Sequence, residues 1–212
     1  MNIEKARDLL IPERIQSLDC LPYQLVVDGL HVMARPRFMA VMNQLACCMN
    51  GDEVYMEVGC YQGGSLIGTL LDNNVKAVAV ESFIWWPEKN TPAILEENLT
   101  KFGVRDRVTV HAMDYHEYFK KSGQPKIGLY YYDGDHVEEA TLAGLEAAWP
   151  FISPDNGMIV LDDTFYQCVN WGINRFIGNH AHEVQIVCAV SPYHDYHPDW
   201  WNGTVFLQKV AK

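Results

Sequence analysis

The chain has 212 residues, 49% of them apolar and 20% charged, which suits one globular domain with a continuous core and argues against disorder. Its formal net charge of −11 argues against nucleic acid or an anionic membrane as partner, since both are bound through a surplus of Lys and Arg. A small neutral or cationic substrate, with or without a divalent cation, fits better.

No apolar run reaches the ~18 residues that a membrane helix needs, and the first residues lack the basic-then-apolar layout of a secretory signal. Cys20, Cys47, Cys48, Cys60, Cys168 and Cys188 form no CxxC pair and are expected to be reduced, mostly core residues of a cytoplasmic protein.

In chain order, residues 1–37 read as short helical pieces broken by Pro12, Pro22 and Pro36, and 1–50 as a helical cap. Phe38–Met49 is a periodic helix stopped by Asn50-Gly51. From there strands and helices alternate. Glu53–Val58, Lys76–Val80, Val108–Ala112, Lys126–Tyr132 and Gly157–Leu161 read as strands. Helices are predicted over Ser65–Leu71, Pro92–Phe102, Val137–Trp149 and Val169–His180. The strands are continuous apolar runs, as expected where helices cover both faces of a parallel sheet. The pattern indicates a doubly wound, mostly parallel α/β sheet. Glu183–Val190 and Thr204–Val210 have no helix between them and should form an antiparallel pair at the edge.

Ligands of such sheets bind at the carboxyl ends of the strands. Here the first strand ends in Glu57-Val58-Gly59, followed by Tyr61, Gly63 and Ser65 at a helix entrance. Backbone N–H groups of that turn can hold a carboxylate or phosphate, with Ser65 adding a hydroxyl. A plain tight turn would look the same. The run is not GxGxxG, because Glu57 stands where the first Gly belongs, which weakens a dinucleotide reading. Glu81 ends the second strand 22 residues after Gly59, placed to accept both hydroxyls of a ribose. Asp114 follows the third strand; it can reach an adenine amino group or be a simple turn residue.

The strongest chemical signal is Asp133-Gly134-Asp135-His136 together with Asp162-Asp163. Adjacent carboxylates raise each other's pKa unless a cation or hydrogen bonds stabilise them. Oxygen ligands without cysteine suit a hard ion such as Mg²⁺. His136 can be a general base, since an ordinary histidine titrates near pH ~6.5, or a helix cap. Two aromatic clusters, residues 83–86 and 193–202, can wall a pocket or pack over the sheet edge or another subunit.

The order Glu57-Val-Gly59-x-x-x-Gly63-x-Ser65, Glu81, Asp114, Asp133 and Asp162-Asp163 resembles class I S-adenosylmethionine-dependent methyltransferases. More narrowly it resembles their metal-dependent O-methyltransferases, of the catechol type and of the macrolide- and aminocoumarin-sugar type. The resemblance spans roughly residues 52–210, with 51–212 as the cofactor-binding domain. It implies a seven-stranded Rossmann-like sheet with a reversed last strand. By position it places Glu57, Gly59, Tyr61, Gly63 and Ser65 around the methionine part of S-adenosylmethionine. Glu81 and Ser82 fall at the ribose, Met113 and Asp114 at the adenine, and Asp133 counts among the cofactor-binding residues as well.

The same resemblance places Asp133, Asp162 and Asp163 where the family holds Mg²⁺ or another divalent cation; Asp133 and His136 are the candidate catalytic residues, the base role of His136 being read from its own chemistry and not inherited from the family. His136 departs from the Lys of the catechol-type enzymes, and Asp163 stands where some relatives have Asn. The implied reaction is in-line transfer of the sulfonium methyl to a hydroxyl of a small molecule, with a possible homo-oligomer built on the N-terminal region. A nicotinamide oxidoreductase, or a cofactor-binding protein without chemistry, is the alternative.

Overall fold

A computed structural model describes residues 1–84, 89–154, 156–191 and 196–210 of the chain. Four helices come first: α1 (Ile3–Leu9), α2 (Pro12–Gln16), α3 (Leu21–Gly29) and α4 (Pro36–Ala46). Pro12, Pro22 and Pro36 each occupy the first or second position of a helix rather than breaking one. The missing proline N–H is unpaired in a first turn anyway, and its fixed φ favours the start.

The alternating part then runs β1 (Val54–Val58), α5 (Gly64–Leu70), β2 (Ala77–Glu81), α6 (Thr91–Lys101), β3 (Val108–Ala112) and α7 (Tyr115–Phe119). It continues with β4 (Ile127–Tyr132), α8 (Glu138–Ala148), β5 (Met158–Leu161), α9 (Gln167–Asn179), β6 (Val184–Val190) and β7 (Thr204–Lys209). The short helix α7 has no counterpart in the sequence reading. It is one turn and a half, too short to show periodicity, and starts because the Asp114 side chain accepts the His116 N–H at 2.7 Å.

The seven strands form one sheet in the order β3-β2-β1-β4-β5-β7-β6. β1 to β5 pair in parallel, whereas β7 is antiparallel to both β5 and β6. The predicted edge pair is therefore present, with β7 inserted and β6 outermost. Side chains alternate across the strands. Tyr55, Leu129, Tyr131, Met158 and Val160 face one core, shared with α1–α6. Met56, Val58, Tyr130, Tyr132, Ile159 and Leu161 face a second, under α7–α9. This is the doubly wound fold. The N-terminal helices join the first core through Ala6, Ile15, Val26 and the buried side of α4.

All six cysteines are free, but only Cys48 and Cys60 are fully buried, and Cys47 is exposed. No helix among the described residues is long and apolar enough to cross a membrane.

Candidate active site

The strand order reverses between β1 and β4, and the carboxyl ends of β1, β2, β4 and β5 open around that point. This is the crevice where open α/β sheets bind ligands. The turn after β1 is built for close approach. Gly59 sits at φ +88°, and a Cβ there would lie 1.9 Å from the Asp133 carbonyl oxygen. Gly63 caps α5 at φ +87° in the same left-handed region, where glycine carries no steric cost.

Glu81 fastens this turn to the second strand. Its two carboxylate oxygens accept the N–H groups of Tyr61 and Phe83, each at 2.9 Å. A cleft with a volume of about 660 Å³ runs from Gly59 and Tyr61 past Glu81 and Ser82 to Met113 and Asp114, and back to Asp133 and His136. That is within the ~300–1,000 Å³ typical of small-ligand sites. Phe83 and Ile84 line it as well; Trp85 and Trp86 lie outside the described residues. Asp114 both borders the cleft and caps α7.

Glu57 and Gly63 do not border this space. Glu57 lies fully buried beneath the turn, taking the Tyr55 hydroxyl on one oxygen and the Ser65 hydroxyl on the other, both at 2.5 Å. Burial pushes its carboxyl up to about 8, although both hydroxyls work to lower it and the charges of Asp133 and Glu81 to raise it.

A smaller cavity of about 240 Å³ adjoins the first and shares Met33, Gly59, Tyr61, Asp133 and His136 with it. Its far walls are Val32 and Ala34 from the N-terminal segment, Tyr166, and Tyr196, Trp201 and Asn202 from the loop before β7. Part of the aromatic loop thus walls a pocket, while Trp200 packs inward on Phe206; residues 193–195 lie outside the described residues.

Where the two cavities meet, Asp133, His136 and Asp163 each bring a ligand atom within 4.8 Å of the other two. His136 Nε2 lies 2.8 Å from Asp163 Oδ2 and 3.4 Å from Asp133 Oδ1. Burial would lower the imidazole's pKa, but hydrogen bonds to Asp133 and Asp163, with their charges, outweigh it and push it up to about 10. The two carboxylates on either side of His136 thus favour its protonated form.

Asp162 borders the smaller cavity but turns aside, accepting the Tyr131 hydroxyl at 2.7 Å and the Thr204 hydroxyl at 3.4 Å. Burial, then the charges of Asp133 and Asp163, raise its carboxyl well above the ordinary range. Asp133 is raised too, by burial first and by Asp163 and Glu81 besides, against the hydrogen bond to His136. Such crowding of carboxyls at strand ends is what a divalent cation relieves, so the residues fit one.

Tyr131 and Tyr55 carry no mark in the sequence, and Asn202 is marked there only as the end of the aromatic run 193–202. The tyrosines sit inside apolar strand runs, where nothing in the pattern sets their hydroxyls apart.

A sequence profile described as a methyltransferase domain matches residues 56–164, which is half of the chain. The chain belongs to this family, and with its sheet and crevice it is a class I S-adenosylmethionine-dependent methyltransferase. The nicotinamide alternative falls with that match.

No curated protein matches the sequence significantly. Solved structures do match in fold. The O-methyltransferase TomG from Streptomyces achromogenes, involved in tomaymycin synthesis and solved with S-adenosylmethionine, superposes with a TM-score of 0.64 at 16% identity, each chain covered in full (100% and 100%). An O-methyltransferase from Bacillus cereus, solved with S-adenosylhomocysteine, gives 0.60 at 16% identity over 98% of this chain and 90% of that one. A Klebsiella pneumoniae protein provisionally assigned as an O-methyltransferase gives 0.66 at 18% identity over 100% and 96%.

Proposed function

We propose that this methyltransferase acts on a hydroxyl of a small polar molecule, a catechol-like phenol or a sugar, with the help of a divalent cation. The observation that carries this reading is the meeting of the two cavities at Asp133 and His136, which puts one carboxylate cluster between a cofactor cleft and an aromatic-walled pocket. The O-methyltransferases that share the fold point the same way. Residues 1–50 would act as a cap that shapes the acceptor side through Val32, Met33 and Ala34.

S-adenosylmethionine, when bound, supplies an electrophilic methyl on a sulfonium. Glu81 would take the ribose hydroxyls, with Ser82 beside it, and Met113 and Asp114 would border the base. Gly59, Tyr61 and Ser65 would surround the amino-acid end, with Glu57 holding the turn from below. The acidic lining favours a cationic ligand over its uncharged product.

A divalent cation, Mg²⁺ or a similar ion, would be held by Asp133 and Asp163 with Asp162, or with His136 once its ring has lost its proton, and would acidify a bound hydroxyl. His136 is the candidate proton acceptor: a cation on Asp133 and Asp163 would neutralise the carboxylates that hold its proton and free Nε2, which lies 2.8 Å from Asp163 and 3.4 Å from Asp133. Tyr61, Tyr166 and Trp201 line the smaller cavity and would shield the acceptor and align its hydroxyl, and such orientation is worth up to ~7–11 kcal/mol in favourable cases.

The test is incubation with S-adenosylmethionine, Mg²⁺ and a panel of catechols and sugars, with products read by mass spectrometry. A mass gain of one methyl that disappears on chelation supports the reading. Transfer that is indifferent to chelation, or directed to nitrogen, rejects it.

A further inference from the structure

Asn202 stands in the connection leading into β7 and is only 4% exposed. A buried amide is tolerated where its polar atoms are partnered, and here the partners connect two parts of the site. Its Nδ2 donates to Asp163 Oδ1 at 2.5 Å and reaches the Tyr166 hydroxyl at 3.5 Å. Its Oδ1 accepts the Tyr196 N–H at 3.1 Å. The backbone repeats the link, since the carbonyls of Asn202 and Gly203 accept the N–H groups of Phe165 and Thr164 at 2.7 and 3.3 Å.

Asp163 needs such support. It lies at φ +56°, a left-handed conformation that costs a non-glycine residue about 1 kcal/mol or more and persists only where the surroundings fix it. With Oδ1 taken by Asn202, it is Oδ2 that faces His136 at 2.8 Å, on the side where the two cavities meet.

We propose that Asn202 is a positioning residue of the cation site. It fixes which oxygen Asp163 presents, and through Tyr196 it ties that choice to the aromatic wall of the acceptor pocket. The inference rests on the reading that Asp133 and Asp163 hold a divalent cation. Outer hydrogen bonds that orient a ligand are typically worth ~10–100-fold in metal affinity.

The experiment titrates Mn²⁺ alone into the full chain and into Asn202→Ala, reading free Mn²⁺ by electron paramagnetic resonance. S-adenosylmethionine is titrated in parallel by calorimetry. Asn202→Ser is carried alongside as a second truncation that keeps a polar group at this buried position, its hydroxyl being one atom too short for either contact, and circular dichroism of both variants guards against one that fails to fold. The expected result is Mn²⁺ binding weaker by about 10–100-fold in both variants, with cofactor affinity within about twofold of the parent. Equal Mn²⁺ affinity in all three proteins overturns the positioning role and leaves the cation reading intact. No Mn²⁺ binding by the parent overturns both. Parallel loss of cofactor affinity would show a collapsed loop, and overturns the specific role as well.

Discussion

Glu81 accepts the backbone N–H of Tyr61 at 2.9 Å, so the carboxylate at the end of β2 holds the glycine turn at the end of β1. The same group borders the larger cleft, proposed for the cofactor. Glu81→Ala should weaken S-adenosylmethionine binding by about 1–3 kcal/mol, the range for losing a charged acceptor. Isothermal calorimetry checks it; an unchanged affinity would remove Glu81 from the ribose.

Gly59→Ala tests the close approach of β1 and β4. The new methyl would meet the Asp133 carbonyl at 1.9 Å, with φ at +88°, and neither backbone has a flexible end to yield. Strain of this kind costs about 1–3 kcal/mol, and the clash adds to it. A loss of about 3 kcal/mol or more is expected from urea unfolding. A loss under about 1 kcal/mol would mean the two chain segments are not so close.

The pH dependence of stability centres on Glu57. Its carboxyl titrates near 8 in the folded chain, against 4.5 for an ordinary Glu. Between these values the unfolded chain has released the proton and the folded chain still holds it, so stability falls as pH rises from about 4.5 to 8. His136, raised from 6.5 to about 10, works in the same direction: the stability it adds is complete below pH 6.5 and is lost as pH climbs towards 10. The protein without cation should therefore melt highest at mildly acidic pH. Glu57→Gln should flatten the melting profile between pH 4.5 and 8. An unchanged slope would show that Glu57 is ionised in the folded state.

The architecture is readable in the sequence because the strands are continuous apolar runs and the acids stand at their ends. Less of the site is readable, for local reasons. Asp162 and Asp163 look equivalent in sequence; it is the left-handed backbone of Asp163 and the Tyr131 hydroxyl on Asp162 that send only one of them towards His136. Asn202 reaches Asp163 across 39 residues of chain, brought there by the antiparallel pairing of Leu161 with Val205. No spacing rule marks such a pair. The prolines of the first helices read as breaks because a helix-starting and a helix-ending proline differ only in the conformation of the residues after them.

Asp162→Ala combined with Asp163→Ala should abolish divalent-dependent turnover, by a factor of about 10³ or more if orientation is lost with the cation. Cofactor affinity should persist, since neither residue borders the larger cleft. Chelation of the parent enzyme should reproduce the loss. Full turnover in the double variant would end the assignment of the cation to this cluster.

The most direct test of the assigned cofactor and its cleft is calorimetric titration of S-adenosylmethionine into the purified protein, with and without Mg²⁺. One-to-one binding in the micromolar range is expected in both conditions, because the larger cleft, proposed for the cofactor, reaches well beyond the carboxylate cluster to Glu81, Met113 and Asp114. No binding in either condition would contradict the assignment.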